Sequence, residues 1–518
     1  MHFPRRLFPS VSSIVRRRPH FPNFHCNFSA SSASCSSAGV EHCNFGTFFQ
    51  LIAHFLVPSD GPSSAGGDEY DEQLLHEEIP QLNYGKVHDM ADRTRSNCAV
   101  YGAGLSSTGA LAIASLVTTP TGPEIVYRPK RIPKMNAKAI KQVAAGFGFS
   151  LFASKNQLFG SGLNNFYQLG GPTRTGPMGE PMQDQALIWH IETKRILLPE
   201  EYKRIRWISA GRMHSVVLAS TDDEKNFRIF CMGTNTHGQC GVSPISNPFV
   251  THNKYNVLRS VAMPMDDAQI YKVHACLDTT FALATDGRLF AWGLGTDGQL
   301  GNGNAQMQWV PSLVGGDLAG ERIVHIGGST DTLLAVSEKG DLFVWGQNEY
   351  GQLCAISEEP QIFYPTHVPF KLGKVTDAQA TGSSCIVCNS DGEVFTWGSQ
   401  VLGFGPAITR LERPMRLDPP LFASAARDGH RVRRVFAGGC AMGAMTEEGH
   451  MFSWGANRHG LLALCHRKHQ YFPYQAWHFR ISIFIFLTSS AYCQISFAEE
   501  VRQASFGPEH SLFVTNRF

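Results

Sequence analysis

One motif recurs seven times along the chain. A tandem repeat constrains the fold more than any other feature, because a unit that cannot bury its own apolar face must stack on copies of itself. The clearest copies are FALATDGRLFAWGLGTDGQLG (281–301), LLAVSEKGDLFVWGQNEYGQLC (333–354) and CIVCNSDGEVFTWGSQVLGFG (385–405). Fainter ones are CAVYGAGLSSTGAL (98–111), NQLFGSGLNNFYQLG (156–170), FRIFCMGTNTHGQCG (227–241) and GHMFSWGANRHGLLA (449–463). With the residue before the shared Gly as marker, the copies fall at Tyr101, Phe159, Met232, Trp292, Trp345, Trp397 and Trp454, spaced 58, 73, 60, 53, 52 and 57 residues apart.

Each unit reads as four short strands. An apolar run such as RIRWISAG is followed by an alternating run such as HSVVLAS, a TDG, SEKG, SDG or EEG turn, xLFxWG and a Gly-rich turn. The apolar period is two, which is that of strands. A composition of 50 Gly, 35 Phe and 28 Pro with only 17% charged residues suits many short strands and excludes charged helical bundles, coiled coil and collagen. The expected fold is all-β, a seven-bladed β-propeller in which each sheet packs on its neighbours. The last copy, EVRQASFGPEHSLFVTN (500–516), supplies the front half of a unit and the first copy lacks it. Pairing the N- and C-terminal strands in one blade therefore closes the ring and removes its open edges.

The flanks differ from the repeats. Residues 1–40 carry five Arg and no acid, the composition of a mitochondrial transit peptide, whereas residues 41–93 carry ten acids against Lys86 and Arg93 and read as an acidic flexible linker. The remainder, 94–518, is the propeller, with 38 basic against 33 acidic residues; that excess permits nucleic-acid contact without demanding it. Thirteen scattered Cys do not form a secreted disulfide framework and read as reduced thiols. Cys385 and Cys388 are a lone CxxC pair within a strand, where residues three apart face opposite sides, so a zinc site is not expected.

The repeats resemble those of the regulator of chromosome condensation family, whose blades carry GxxHxxxL, a turn, and xWGxNxxGQLG. The resemblance covers about 94–518 and recurs at seven registers. The transit-like head with GGDLAG (315–320), GKVTDAQATG (373–382) and QYFP (470–473) is similar to the mitochondrial branch of that family. The resemblance implies a location in the mitochondrial matrix or on the matrix face of the inner membrane. It also implies support of large-subunit ribosomal RNA stability and mitochondrial ribosome biogenesis, with rRNA maturation factors including pseudouridine synthases as partners. The alternative it implies is guanine-nucleotide exchange on a mitochondrial dynamin-related fusion GTPase, and a third reading is a passive structural scaffold. Peripheral association with the inner membrane is compatible with all three. The family His is matched by His214 and His510, with Phe149, Thr279, Thr332, Cys385 and Ala441 as equivalents elsewhere. These His are expected to be scaffold groups satisfied by a neighbouring backbone carbonyl.

Catalytic motifs are missing. Gly293, Gly295 and Gly298 spell GxGxxG, but the same register reads WGQNEYG and WGANRHG in other copies, so these are turn glycines. No GxxxxGK followed by Ser or Thr, no HExxH and no GxSxG occurs. A non-enzymatic binding protein without catalytic residues, cofactor or metal is expected, which suits an exchange factor too because exchange breaks no covalent bond. A long segment, GPTRTGPMGEPMQDQALIWHIETKRI (171–196), offers a protruding loop. Two basic segments offer phosphate contacts: Lys130, Arg131, Lys134, Lys138 and Lys141 in PKRIPKMNAKAIKQ (129–142), and Arg431, Arg433 and Arg434 in GHRVRRVF (429–436). In the second, alternation predicts Arg431 and Arg433 on one face and His430, Val432 and Arg434 on the other.

One stretch does not fit the repeat. HFRISIFIFLTSSAYCQIS ends near Cys493–Gln494 in text typical of a translated pyrimidine tract and splice acceptor, so about 478–495 reads as a non-native insertion, a retained intron. No transmembrane span is expected there, since a span would put the closing strand across the membrane from the first blade. FGTFFQLIAHFLVP (45–58) is too short to span and reads as a similar artefact or a buried head segment.

Overall fold

The computed structural model describes residues 98–117, 124–171, 189–243, 258–264, 269–353, 356–422, 431–476, 480–488, 491–498 and 500–516. The basic head and the acidic linker lie outside them. Seven four-stranded antiparallel sheets form a seven-bladed β-propeller. Blade 1 runs, from its innermost strand outward, Val501–Phe506, His510–Asn516, Cys98–Leu105 and Ile125–Arg131, so the first and last described strands share a sheet as the closure arithmetic predicts. Cys98 pairs with Asn516 and Gly104 with His510 along that seam. Blades 2 to 7 begin with the inner strands Gln142–Ala145, Arg204–Ala210, Ile270–Cys276, Ile323–Gly327, Val375–Ala380 and Val432–Gly438. They end with the outer strands Trp189–Ile196, Arg259–Val261, Gln308–Leu313, Gln361–His367, Arg410–Arg416 and Gln470–Gln475.

The repeat exists because of a glycine that no other residue replaces. Gly104, Gly162, Gly233, Gly293, Gly346, Gly398 and Gly455 end the third strands with φ between 95° and 117°. Each faces the first residue of the second strand: His510, Phe149, His214, Thr279, Thr332, Ser384 and Ala441. The carbonyl just before that residue accepts the N–H just after the glycine in all seven blades, at 2.8–3.0 Å, from Leu105 N to Glu509 O round to Ala456 N to Cys440 O. A Cβ on the glycine would strike that carbonyl oxygen in every blade. This register corrects two sequence assignments. The true repeat glycines in blades 1 and 2 are Gly104 and Gly162, two residues beyond those that follow Tyr101 and Phe159. The blade 6 equivalent of the family His is Ser384, not Cys385, because Cys385 faces Trp397.

Seams between blades hold the core. Trp292, Trp345, Trp397 and Trp454 are fully buried. Three of these indoles donate to the backbone of the preceding blade: Trp292 Nε1 to Gln239 O at 3.1 Å, Trp345 to Gln299 O at 2.8 Å, and Trp397 to Gln352 O at 2.9 Å. After Gly398 the loop reaches Gly403 five residues on, where Gly293 reaches Gly301 in eight. Val401 replaces the Gln there, and Trp454 Nε1 has no acceptor among the described residues. Cys385 lies in the seam between blades 5 and 6 and Cys388 in that between blades 6 and 7, on opposite faces of one strand.

Two further expectations change. The segment 171–196 is not loop throughout, because Trp189–Ile196 pairs with Leu158–Leu163 as the outer strand of blade 2; residues 172–188 lie outside the described residues. The stretch 480–498 forms a hairpin, Arg480–Thr488 with Ala491–Ala498, that pairs with neither adjoining blade. Removing 480–497 leaves seven residues between the strand ends Gln475 and Val501, the length of the 368–374 connector. The shortened chain is expected to keep a cooperative melt within a few degrees of the full chain; loss of that transition contradicts the hairpin's independence. Among the described residues no helix is long and apolar enough to cross a membrane.

Candidate functional site

The inner strands surround the central channel, and six of the seven carry a bulge near their start. A bulge shifts alternation by one residue. The shift corrects the reading of GHRVRRVF: Val432 and Val435 are both buried while Arg433 and Arg434 are both exposed, so Arg434 does not share the face of Val432. Just past the bulge, or at the equivalent place in blade 2, stand Gln503, Gln142, Trp207, Lys272, His325, Asp377 and Arg434. An inner strand has an unpaired edge, and this ring satisfies much of it.

Gln503 Oε1 accepts from Val143 N at 3.1 Å and Gln142 Oε1 from Ile208 N at 3.2 Å, each reaching into the following blade. Lys272 Nζ lies 5.5 Å from the Trp207 ring centroid and donates to His325 Nδ1 at 3.2 Å and Ile326 O at 3.3 Å. With Nδ1 accepting, His325 Nε2 carries the proton, donates to Ala378 O at 3.0 Å and lies 3.0 Å from Asp377 Oδ1. Asp377 Oδ2 in turn accepts from Val435 N at 3.1 Å.

Burial governs the electrostatics of this relay. It lowers Lys272 to about 8, against the pull of Asp377 and with the help of Arg434, and holds His325 well below its ordinary value. Burial also raises Asp377, opposed by Arg434 and Lys272. His325 is therefore neutral at pH 7, and its contact with Asp377 is a hydrogen bond to a carboxylate rather than an ion pair. One step along the inner strands, His274 Nε2 donates to Gly328 O at 2.6 Å. A cavity of about 200 Å³ opens there, lined by Ser209, His274, Gln379 and Ser505 among others. Chemically the channel wall joins consecutive inner strands by hydrogen bonds between side chain and backbone.

The two family His also serve the scaffold, with a partner other than the one expected. His214 Nε2 meets Thr280 Oγ1 at 2.9 Å and His510 Nε2 meets Ser150 Oγ at 2.8 Å, so the partner is a hydroxyl of the next blade rather than a carbonyl. Thr280 already donates to Gln239 O, which makes His214 the donor. Burial lowers His214 and His274 to about 3 and His510 to about 4. These groups stay neutral when folded and charge when unfolded, so their stabilisation is complete above pH ~6.5 and is lost as pH falls below it. Asp331, raised to about 6 chiefly by burial, takes up a proton in the folded state and offsets part of the loss. A net uptake of one to two protons on unfolding is expected, roughly 1.5–3 kcal/mol per pH unit between pH 6 and 4. Urea midpoints measured at pH 7 and pH 5 check this; an unchanged or higher midpoint at pH 5 contradicts it.

The candidate cations divide. Lys130 pairs with Glu124 at 2.8 Å, Lys134 with Glu192 at 2.5 Å and Arg431 with Glu447 at 3.7 Å, and Lys138 lies over the Phe159 ring. Arg131, Lys141 and Arg433 are exposed. Lys134, Lys138, Lys141 and Arg431 all sit on connectors between an outer strand and the next inner strand, hence on one face of the propeller, whereas the loop after Leu163 is on the other. The GxGxxG glycines lie in a loop that leads to strand Gln308–Leu313 rather than to a helix.

The family model for the regulator of chromosome condensation (RCC1) repeat matches residues 286–336 and 339–388. A human RCC1-like G exchanging factor-like protein is 33% identical over 417 residues, 77% of this chain and 85% of its own length. The chain belongs to the RCC1 repeat family. The mouse RCC1-like G exchanging factor-like protein is 32% identical over a similar span. The crystal structure of human WBSCR16 superposes with a TM-score of 0.68 at 29% identity, covering 81% of this chain and 99% of that one. Prp20p of Saccharomyces cerevisiae, at TM-score 0.60 and 18% identity over 81% of this chain and 92% of its own, shares the fold.

Proposed function

We propose that this protein is a non-catalytic interaction platform in the mitochondrial matrix or on the matrix face of the inner membrane. There it binds large-subunit ribosomal RNA and its maturation factors during ribosome biogenesis. The observation that carries this reading is the pair of stretches 125–141 and 451–476, which contain no Asp or Glu, on consecutive blades. Such surfaces attract phosphate regardless of sequence. The basic, acid-free head supports the location.

A second reading is guanine-nucleotide exchange on a dynamin-related fusion GTPase, of which the exchange, and not the choice of GTPase, is favoured by the name that the human and mouse relatives carry. It needs only a surface that binds the nucleotide-free GTPase better than the loaded one. The two separate in vitro. The platform reading expects RNA binding that weakens steeply with salt and no effect on GDP release. Release of fluorescent GDP from the GTPase accelerated by substoichiometric protein, without RNA binding, overturns it in favour of exchange.

A further inference from the structure

We propose that the outer rim of blades 7 and 1 is a binding surface for single-stranded RNA; this rests on the RNA reading above and names the place and the form of RNA. Ring closure makes the rim. The blade 7 loop that follows Gly455 lies against the outer strand of blade 1: Cys465 N donates to Tyr127 O at 3.0 Å, and Gly460 packs so closely that a Cβ would approach the Tyr127 Cα to 2.9 Å. The loop is tied at its other end by Asn457 N donating to His469 Nδ1 at 3.1 Å, and leads straight into outer strand Gln470–Gln475. Tyr127 and Arg128 of one blade thus flank the loop that carries Arg467 and Lys468 and runs on into the strand of Tyr471 and Phe472, and all six side chains are exposed.

Two features select unpaired RNA over other polyanions. Every large apolar side chain exposed on these two blades, among the described residues, is aromatic. Exposed rings on strands offer flat faces to bases, whereas a lipid-inserting surface would also show aliphatic residues. The strand is also held in place: the Phe472 ring lies against Gly405 of the preceding blade, and Gly405 N donates to the Tyr471 backbone O at 3.1 Å. The cations supply phosphate contact, and a duplex, whose bases are stacked inside, gains only from them.

The test is fluorescence anisotropy of a labelled 15-nucleotide oligouridine with the full chain, with the matching uridine–adenine duplex as comparison. Tyr471→Ala with Phe472→Ala is expected to weaken single-strand binding about tenfold or more while leaving the duplex within about twofold. Arg467→Glu with Lys468→Glu is expected to weaken both and flatten the salt dependence. Lys371→Glu with Lys374→Glu, on the connector between blades 5 and 6 and outside both basic segments, is expected to change little. These variants replace exposed side chains, and circular dichroism melts establish that they fold. Rim variants that bind like the unaltered protein overturn the proposal, and if Lys141→Glu with Arg433→Glu then abolishes binding, the RNA reading survives without the rim. Rim variants that lose only binding to anionic lipid vesicles also overturn it. Failure of the unaltered chain to bind oligouridine at low salt overturns both the rim and the RNA reading.

Discussion

Gly346→Ala is expected to destabilise the propeller by about 3 kcal/mol or more, although it adds one methyl group. Two costs combine. The backbone at φ 95° disfavours any L side chain, and the new Cβ would occupy the space of the Asp331 carbonyl oxygen, which already accepts from Gln347 N at 3.0 Å. Moving that carbonyl breaks the hydrogen bond and disturbs the carboxylate held by Gln299 Nε2 at 3.0 Å. Gly320 separates the two costs. Its φ is 85° with nothing within 4 Å of an added Cβ, so Gly320→Ala should cost only about 1 kcal/mol. Urea denaturation of both variants tests the difference; equal losses would show that backbone conformation alone, not the close approach, selects the repeat glycine.

Asp377→Ala is expected to cost about 3–5 kcal/mol, more than its small volume suggests. The carboxylate serves three neighbours: the Val435 N–H, the His325 imidazole and the charges of Lys272 and Arg434. Removing it leaves a buried N–H unpaired and Lys272 without the charge that opposes its desolvation, so the Lys272 value falls further. Asp377→Asn keeps an acceptor for Val435 and loses only the charge, so its cost should lie between that of Ala and zero. Denaturation midpoints of the two variants within experimental error of the unaltered protein would contradict the relay.

Much of the architecture is legible in the sequence because its cause is local. A positive-φ glycine and the Trp before it mark the blades, and the half-units at the two ends announce closure. Where the marker was aromatic rather than conformational, reading slips: Tyr101 and Phe159 resemble the Trp, but the close approach that defines the repeat is made at Gly104 and Gly162. Bulges defeat alternation in the same way at Arg434. The channel ring is not legible at all, because Gln503, Gln142, Trp207, Lys272, His325, Asp377 and Arg434 share a position and no chemistry. Neither is the rim, since Tyr127 and Cys465 stand far apart in the chain and meet only once the ring has closed.

Crosslinking of the tagged protein to RNA in intact cells, with sequencing of the bound RNA and sedimentation of mitochondrial lysate, tests the functional account most directly. The account predicts enrichment of large-subunit ribosomal RNA and co-sedimentation with immature large subunits. A mitochondrial pool free of RNA and sedimenting apart from ribosomal particles would contradict it.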